Sequence, residues 1–151
     1  MSDHVCSRRI ALKILAAGGA AGTFASACSS PAGSTPDAVG TVQAGLVSDY
    51  PVGSLEPVGN LAVAVGRDAK GLYAMTLTCT HAGCNMAVDG NVSPSGIVCS
   101  CHGSQFDANG GVTRGPAQEA LTHFAVTVDA SGTITVHGDQ TVAATVRAPV
   151  A

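Results

Sequence analysis

Tryptophan is absent from this 151-residue chain, and aromatic residues make up only 3% of it. With 19 glycines and 7 prolines alongside, that scarcity argues against long packed helices and for short strands joined by tight turns. Charged residues are equally sparse, at 11% with a formal net charge of -3. No basic patch is available to neutralise phosphates, which sets nucleic-acid partners aside. A long hydrophobic run is also missing. The uncharged stretch from Ile14 to Ala27 holds too few apolar residues to cross about 30 Å of hydrocarbon, and many of them are small Ala and Gly. No nucleotide motif and no nucleophile paired with a base can be found, so no catalytic residue is assigned. The length suits one compact domain.

Six cysteines in so short a chain need a reason, and the two usual ones are disulfides in an oxidising compartment and metal ligands. The N-terminus reads as an export signal at residues 1–27. Ser7-Arg8-Arg9-Ile10-Ala11-Leu12-Lys13 is similar to a twin-arginine signal, although an aromatic residue is commoner where Ala11 stands. Ala25-Ser26-Ala27-Cys28 looks like a lipobox lacking its usual Leu, with Cys28 as the residue to be acylated. An ordinary secretory signal carrying a plain cysteine is the alternative. Residues 28–38, rich in Ser, Pro, Gly and Thr, have the composition of a flexible tether. The expected place is therefore outside the cytoplasm, in the periplasm or on the outer face of the cytoplasmic membrane, held by a lipid anchor. Loss of residues 1–27 would remove Cys6 with the signal and leave four basic and nine acidic side chains, a net charge of -5.

Residues 39–138 are expected to fold as an all-β domain, with 139–151 as a tail left unassigned beyond an edge strand. Leu61–Val65 and Leu72–Thr78 flank the turn-rich Asp68-Ala69-Lys70-Gly71, and Phe124–Val128 and Thr133–Val136 flank Asp129-Ala130-Ser131-Gly132. Two hairpins are expected. Between them the Gly-rich stretch from Cys79 to Pro116 is read as loops that carry the chemistry on a rigid frame.

Two boxes stand out in that stretch, Cys79-Thr80-His81-Ala82-Gly83-Cys84 and Cys99-Ser100-Cys101-His102-Gly103-Ser104, with 17 residues between His81 and Cys99. Each offers a thiolate and an imidazole, and each carries one further cysteine. Taken alone, such a Cys₂His₂ set also suits tetrahedral zinc, but zinc would not explain the second cysteine pair. The outlying His4, His123 and His137 read as surface or strand residues.

These boxes, the run from Cys101 to Asp107, and Gly115-Pro116-Ala117 together resemble the Rieske family, in its high-potential branch that includes the iron-sulfur subunits of cytochrome bc complexes. The resemblance covers about residues 58–137. It implies a small antiparallel β-sandwich holding one [2Fe-2S] cluster, with Cys79 and Cys99 on a buried iron and His81 and His102 on an outer one. Four thiolates would leave the oxidised cluster doubly negative, whereas two neutral imidazoles leave it neutral and easier to reduce. Rieske centres accordingly sit at about -150 to +300 mV, against about -400 mV for plant-type ferredoxins.

The family pattern also pairs Cys84 with Cys101 in a disulfide and surrounds the cluster with Gly103, Ser104, Phe106 and Pro116. Ser104 matches a hydroxyl donor to a bridging sulfide. Phe106 stands where the highest-potential members have a donating Tyr, which implies an intermediate potential. Pro116 looks like part of the loop that covers the cluster. The implied partners are a quinol-oxidising complex or dehydrogenase as donor and a c-type cytochrome or copper protein as acceptor. A stand-alone carrier and a small subunit of a larger oxidoreductase, bc-type or arsenite-oxidase-like, are both compatible. The ferredoxin of a ring-hydroxylating oxygenase fits less well, because that group is cytoplasmic and lacks the disulfide pair.

Overall fold

The computed structural model describes residues 39–150. The signal, the tether and Cys28 lie outside the described residues. The ordered elements are β1 (Thr41–Leu46), a 3₁₀ turn (Val47–Asp49), β2 (Leu55–Pro57), β3 (Val63–Asp68), β4 (Gly71–Thr76), β5 (Gly90–Ser93), β6 (Gly96–Cys99), β7 (Gln105–Phe106), β8 (Val112–Arg114), β9 (His123–Val128) and β10 (Thr133–Val142). They form two antiparallel sheets, one of six strands in the order β1-β10-β9-β4-β3-β2 and one of four in the order β5-β6-β7-β8. The all-β architecture and both hairpins are as the sequence implies. Among the described residues no helix is long and apolar enough to cross a membrane.

Strand periodicity explains how one sheet serves two cores. Successive side chains point to opposite faces, and Val63–Val65 of β3 and Leu72–Met75 of β4 are unbroken apolar runs. Val63, Val65, Leu72 and Ala74 join Ala44, Tyr50, Phe124, Ile134 and Val136 in one cluster. The alternate residues Ala64, Tyr73 and Met75 join Leu77, Met86, Ile97, Phe106, Cys79 and Cys99 in the other. The second cluster fills the space between the sheets, so the two cysteines rest on the same core that fixes β3 and β4.

Two elements differ from the sequence reading. The stretch expected to be loops contains the entire four-stranded sheet, with Gly90↔Cys99 through Ser93↔Gly96 pairing β5 to β6. Its strands are two to four residues long, and glycines at their ends hide the alternation. Gly90 and Gly96 nonetheless sit where a Cβ would collide with neighbouring carbonyl oxygens, so the glycines belong to close strand packing. The tail, for its part, is tied down. β10 runs on to Val142 past a bulge between His137 and Thr141. Beyond it, Leu72 and Ala148 exchange N–H···O bonds of 2.9 and 2.8 Å. Arg147 then reaches back to Asp68 at 2.6 Å and Asn109 at 2.8 Å, with its guanidinium 4.2 Å from the centre of the Tyr73 ring.

Candidate metal centre

The two boxes fold into two loops of the same form. In the first, the Cys79 N–H donates to the Cys84 carbonyl at 2.9 Å and the Gly83 N–H to the Cys79 carbonyl at 2.8 Å. In the second, the Cys99 N–H donates to the Ser104 carbonyl at 2.9 Å and the Gly103 N–H to the Cys99 carbonyl at 3.0 Å. Gly83 and Gly103 hold φ of +74° and +80°, a region that side chains rarely adopt. This shared geometry explains why both boxes place Gly at their fifth position. The Cys and His spacings differ between the boxes, and the shared glycine is the sequence signal of their common form.

The expected ligands sort by burial, the thiols inside and the imidazoles at the surface. Cys79 and Cys99 are buried and free of disulfides. Burial pushes the Cys99 thiol up, and the neighbouring Cys79 adds to the effect, while the backbone N–H groups of Cys101 and His102 oppose it by donating to the sulfur. His81 and His102 are exposed, with ring centroids 4.8 Å apart at an interplanar angle of 78°. Cys84 and Cys101 form the disulfide that joins the loops, Cα–Cα 6.7 Å apart. The sulfurs of Cys84, Cys99 and Cys101 all lie within 4.8 Å of one another. The bridge therefore stands directly against one of the buried thiols.

Ser104 and the segment 115–121 complete the enclosure. Ser104 is fully buried, and its Oγ accepts the Ala117 N–H at 3.0 Å. Among the described residues no protein acceptor takes its own proton, which leaves the hydroxyl free to donate. Thr80, a residue with no metal-ligand character in the sequence, donates its hydroxyl to the Glu119 carbonyl at 2.7 Å. Each loop thus holds the same segment by one hydroxyl. Phe106 is buried in the core cluster that contains Cys79 and Cys99, Gly103 shapes its loop, and Pro116 is exposed beside His81, where it lines an open cleft of about 320 Å³ with Thr80, Gln118 and Glu119. His123, expected at the surface or in a strand, opens β9 and is buried, whereas His137 on β10 bonds Thr127 at 3.0 Å.

These residues fit an iron-sulfur cluster. Soft thiolates are paired inside, N–H donors point at a sulfur whose negative charge they would stabilise, and a buried hydroxyl has a proton to give.

Known proteins agree. Residues 41–125 match the model of the Rieske [2Fe-2S] domain. The cytochrome b6-f complex iron-sulfur subunit of Synechococcus sp. (strain WH7803) is 38% identical over 91 residues, covering 56% of this chain and 50% of that protein. The subunit of the same name from Synechococcus elongatus (strain ATCC 33912 / PCC 7942 / FACHB-805) is 40% identical over 103 residues, covering 62% and 56%. The chain thus spans about half the length of the curated relatives it matches. Among solved structures, the cyanobacterial plasma membrane Rieske protein PetC3 from Synechocystis PCC 6803 is 31% identical with a TM-score of 0.49, covering 63% of this chain and 97% of that one. A chain from the complex of reduced oxygenase and oxidized ferredoxin in carbazole 1,9a-dioxygenase is 27% identical with a TM-score of 0.50, covering 68% and 96%. With more than half of its length matched by the family model and its two cysteine-histidine loops closed over a buried thiol pair, the chain belongs to the Rieske [2Fe-2S] family, whose domain binds such a cluster and transfers electrons.

Proposed function

We propose that Cys79, His81, Cys99 and His102 hold the [2Fe-2S] cluster and that the protein passes single electrons outside the cytoplasmic membrane, from a quinol or a dehydrogenase to a c-type cytochrome or copper protein. The observation that carries this reading is the layering of the site, two thiols inside and two adjacent imidazoles at the surface. When bound, the cluster supplies a one-electron redox centre whose neutral ligands favour the reduced state. The buried cysteines would fix its inner side. His81 and His102 would present their outer ring nitrogens to a partner, with the cleft beside His81 giving that partner a foothold. The outer ring nitrogens of His81 and His102 would be the atoms at which the chain could give up a proton as an electron leaves.

Residues 1–27 are proposed as the export signal, 28–38 as the tether with Cys28 lipidated, 39–138 as the cluster domain and 139–151 as its C-terminal tail. A second reading, a small subunit of a quinol-oxidising complex, is favoured by relatives that bear the name of cytochrome b6-f subunits. Redox titration of the holoprotein by low-temperature EPR over several pH values tests the proposal. A rhombic signal, a positive midpoint and a potential that falls in alkali are expected. A low, pH-independent potential would overturn it.

A further inference from the structure

His123 is only 3% exposed and serves no part of the electron-transfer reading. It pairs across the sheet with Met75 on β4 and Val142 on β10. Its Nδ1 lies 3.3 Å from the carbonyl of Leu121, while its Nε2 has no hydrogen-bond partner among the described residues. The neutral ring suits this arrangement, with Nδ1–H donating to Leu121 and Nε2 left as an unprotonated, unpartnered lone pair. A second proton on Nε2 would be a buried charge with nothing to accept it.

The groups around the ring give little help. From β4, Tyr73 lies with its ring centroid 6.2 Å away, but its hydroxyl already donates to the Ala108 carbonyl. The C-terminal segment brings Arg147 over that same tyrosine, a like charge for an imidazolium. The turn after β7 brings Asp107, whose Oδ1 is already bonded by the Asn109 and Gly111 N–H groups. Val142 of β10 brings no charge. Burial, helped by Arg147 and only partly offset by the Leu121 carbonyl and Asp107, holds the imidazole below its ordinary range.

Leu121 links this residue to the cluster side. It ends the segment 115–121, is itself buried, and donates its N–H to the Gly110 carbonyl at 2.9 Å. The same segment is gripped by Ser104 at Ala117 and by Thr80 at Glu119. We propose that His123 is an acid-sensitive latch: when it gains a proton, residues 121–123 leave the core and the segment 115–121 is released from the two cysteine-histidine loops. For a base disfavoured in its charged form by folding, stability is complete above the ordinary imidazole range. It is lost as pH falls through that range toward the depressed folded value.

Hydrogen exchange of the holoprotein between pH 7.5 and 5 tests this, with rates corrected for intrinsic exchange. The amides of residues 117–123 should open more in acid, by up to about tenfold per pH unit. In His123→Gln, whose amide can still donate to Leu121 but does not titrate, that increase should vanish. His123→Leu provides a second non-titrating variant should the first fold poorly. Equal acid opening in the wild type and in a folded variant would overturn the latch. Loss of visible cluster absorbance in acid is read in parallel. It rests on the proposed ligand set, whereas the exchange of residues 117–123 does not, so failure of one is distinguishable from failure of the other.

Discussion

Replacing Cys84 and Cys101 together by serine should weaken both the fold and the cluster, and the size of the effect follows from the loop they close. The bridge spans 17 residues of sequence, and loop-closure entropy for a loop of that length is worth about 3 kcal/mol. Domains of this size have total stabilities of about 5–15 kcal/mol, so the loss is a large share. With a urea m-value of about 1–1.5 kcal/mol per molar for such a domain, the unfolding midpoint should fall by about 2–3 M. The cluster should suffer first. The hydrogen bonds that close residues 79–84 and 99–104 are internal to each loop, so the disulfide is the covalent tie between them, and it lies against Cys99. Urea titration followed at once by far-UV circular dichroism and by visible absorbance should show cluster loss preceding unfolding in the variant. A midpoint within about 0.5 M of the wild type, with cluster and fold lost together, would refute the reasoning.

Three further substitutions probe the surroundings. Ser104→Ala leaves the buried Ala117 N–H without its acceptor, costing about 1–3 kcal/mol in thermal unfolding, and removal of the free hydroxyl should lower the midpoint potential by about 40–60 mV; an unchanged potential would show that the proton goes elsewhere. Phe106→Tyr places a donor in the core beside Cys79 and Cys99 and should raise the potential by a similar amount of about 40–60 mV, which potentiometry checks directly. Arg147→Ala removes the bonds to Asp68 and Asn109 and the contact with Tyr73, and should cost about 1–3 kcal/mol. Burial alone would raise the Asp68 carboxyl, but the Arg147 bond and the N–H groups of Lys70 and Gly71 outweigh it and hold the group below its ordinary range. That contribution is present above the ordinary carboxylate range and lost as pH falls through it. Thermal stability should therefore drop less between neutral and acid pH in the variant than in the wild type.

The hairpins were legible because Asp68-Gly71 and Asp129-Gly132 are strong local turns between largely apolar, strand-forming runs, and local signals survive without knowledge of the rest. The chemistry was legible for a different reason. Cys and His at fixed spacing have few other uses, and the loops that carry them are closed within six residues. What the sequence concealed depends on distant partners. β5 to β8 are short and glycine-punctuated, and their pairing is favoured only once Met86, Ile97 and Phe106 pack on Tyr73 and Met75. The bond from Thr80 to Glu119 spans 39 residues and the one from Arg147 to Asp68 spans 79; no window along the chain reveals either. His123 shows the same limit, since a histidine at the start of an alternating strand reads as polar until Tyr73, Met75 and Leu121 close around it.

The most direct test of the central claim is pulsed EPR on the reduced holoprotein labelled with ¹⁵N only at histidine. Ligation by His81 and His102 predicts two strongly coupled histidine nitrogens, each lost in turn when His81 or His102 is replaced. A [2Fe-2S] signal without histidine nitrogen coupling, or a colourless protein containing zinc, would contradict the assignment.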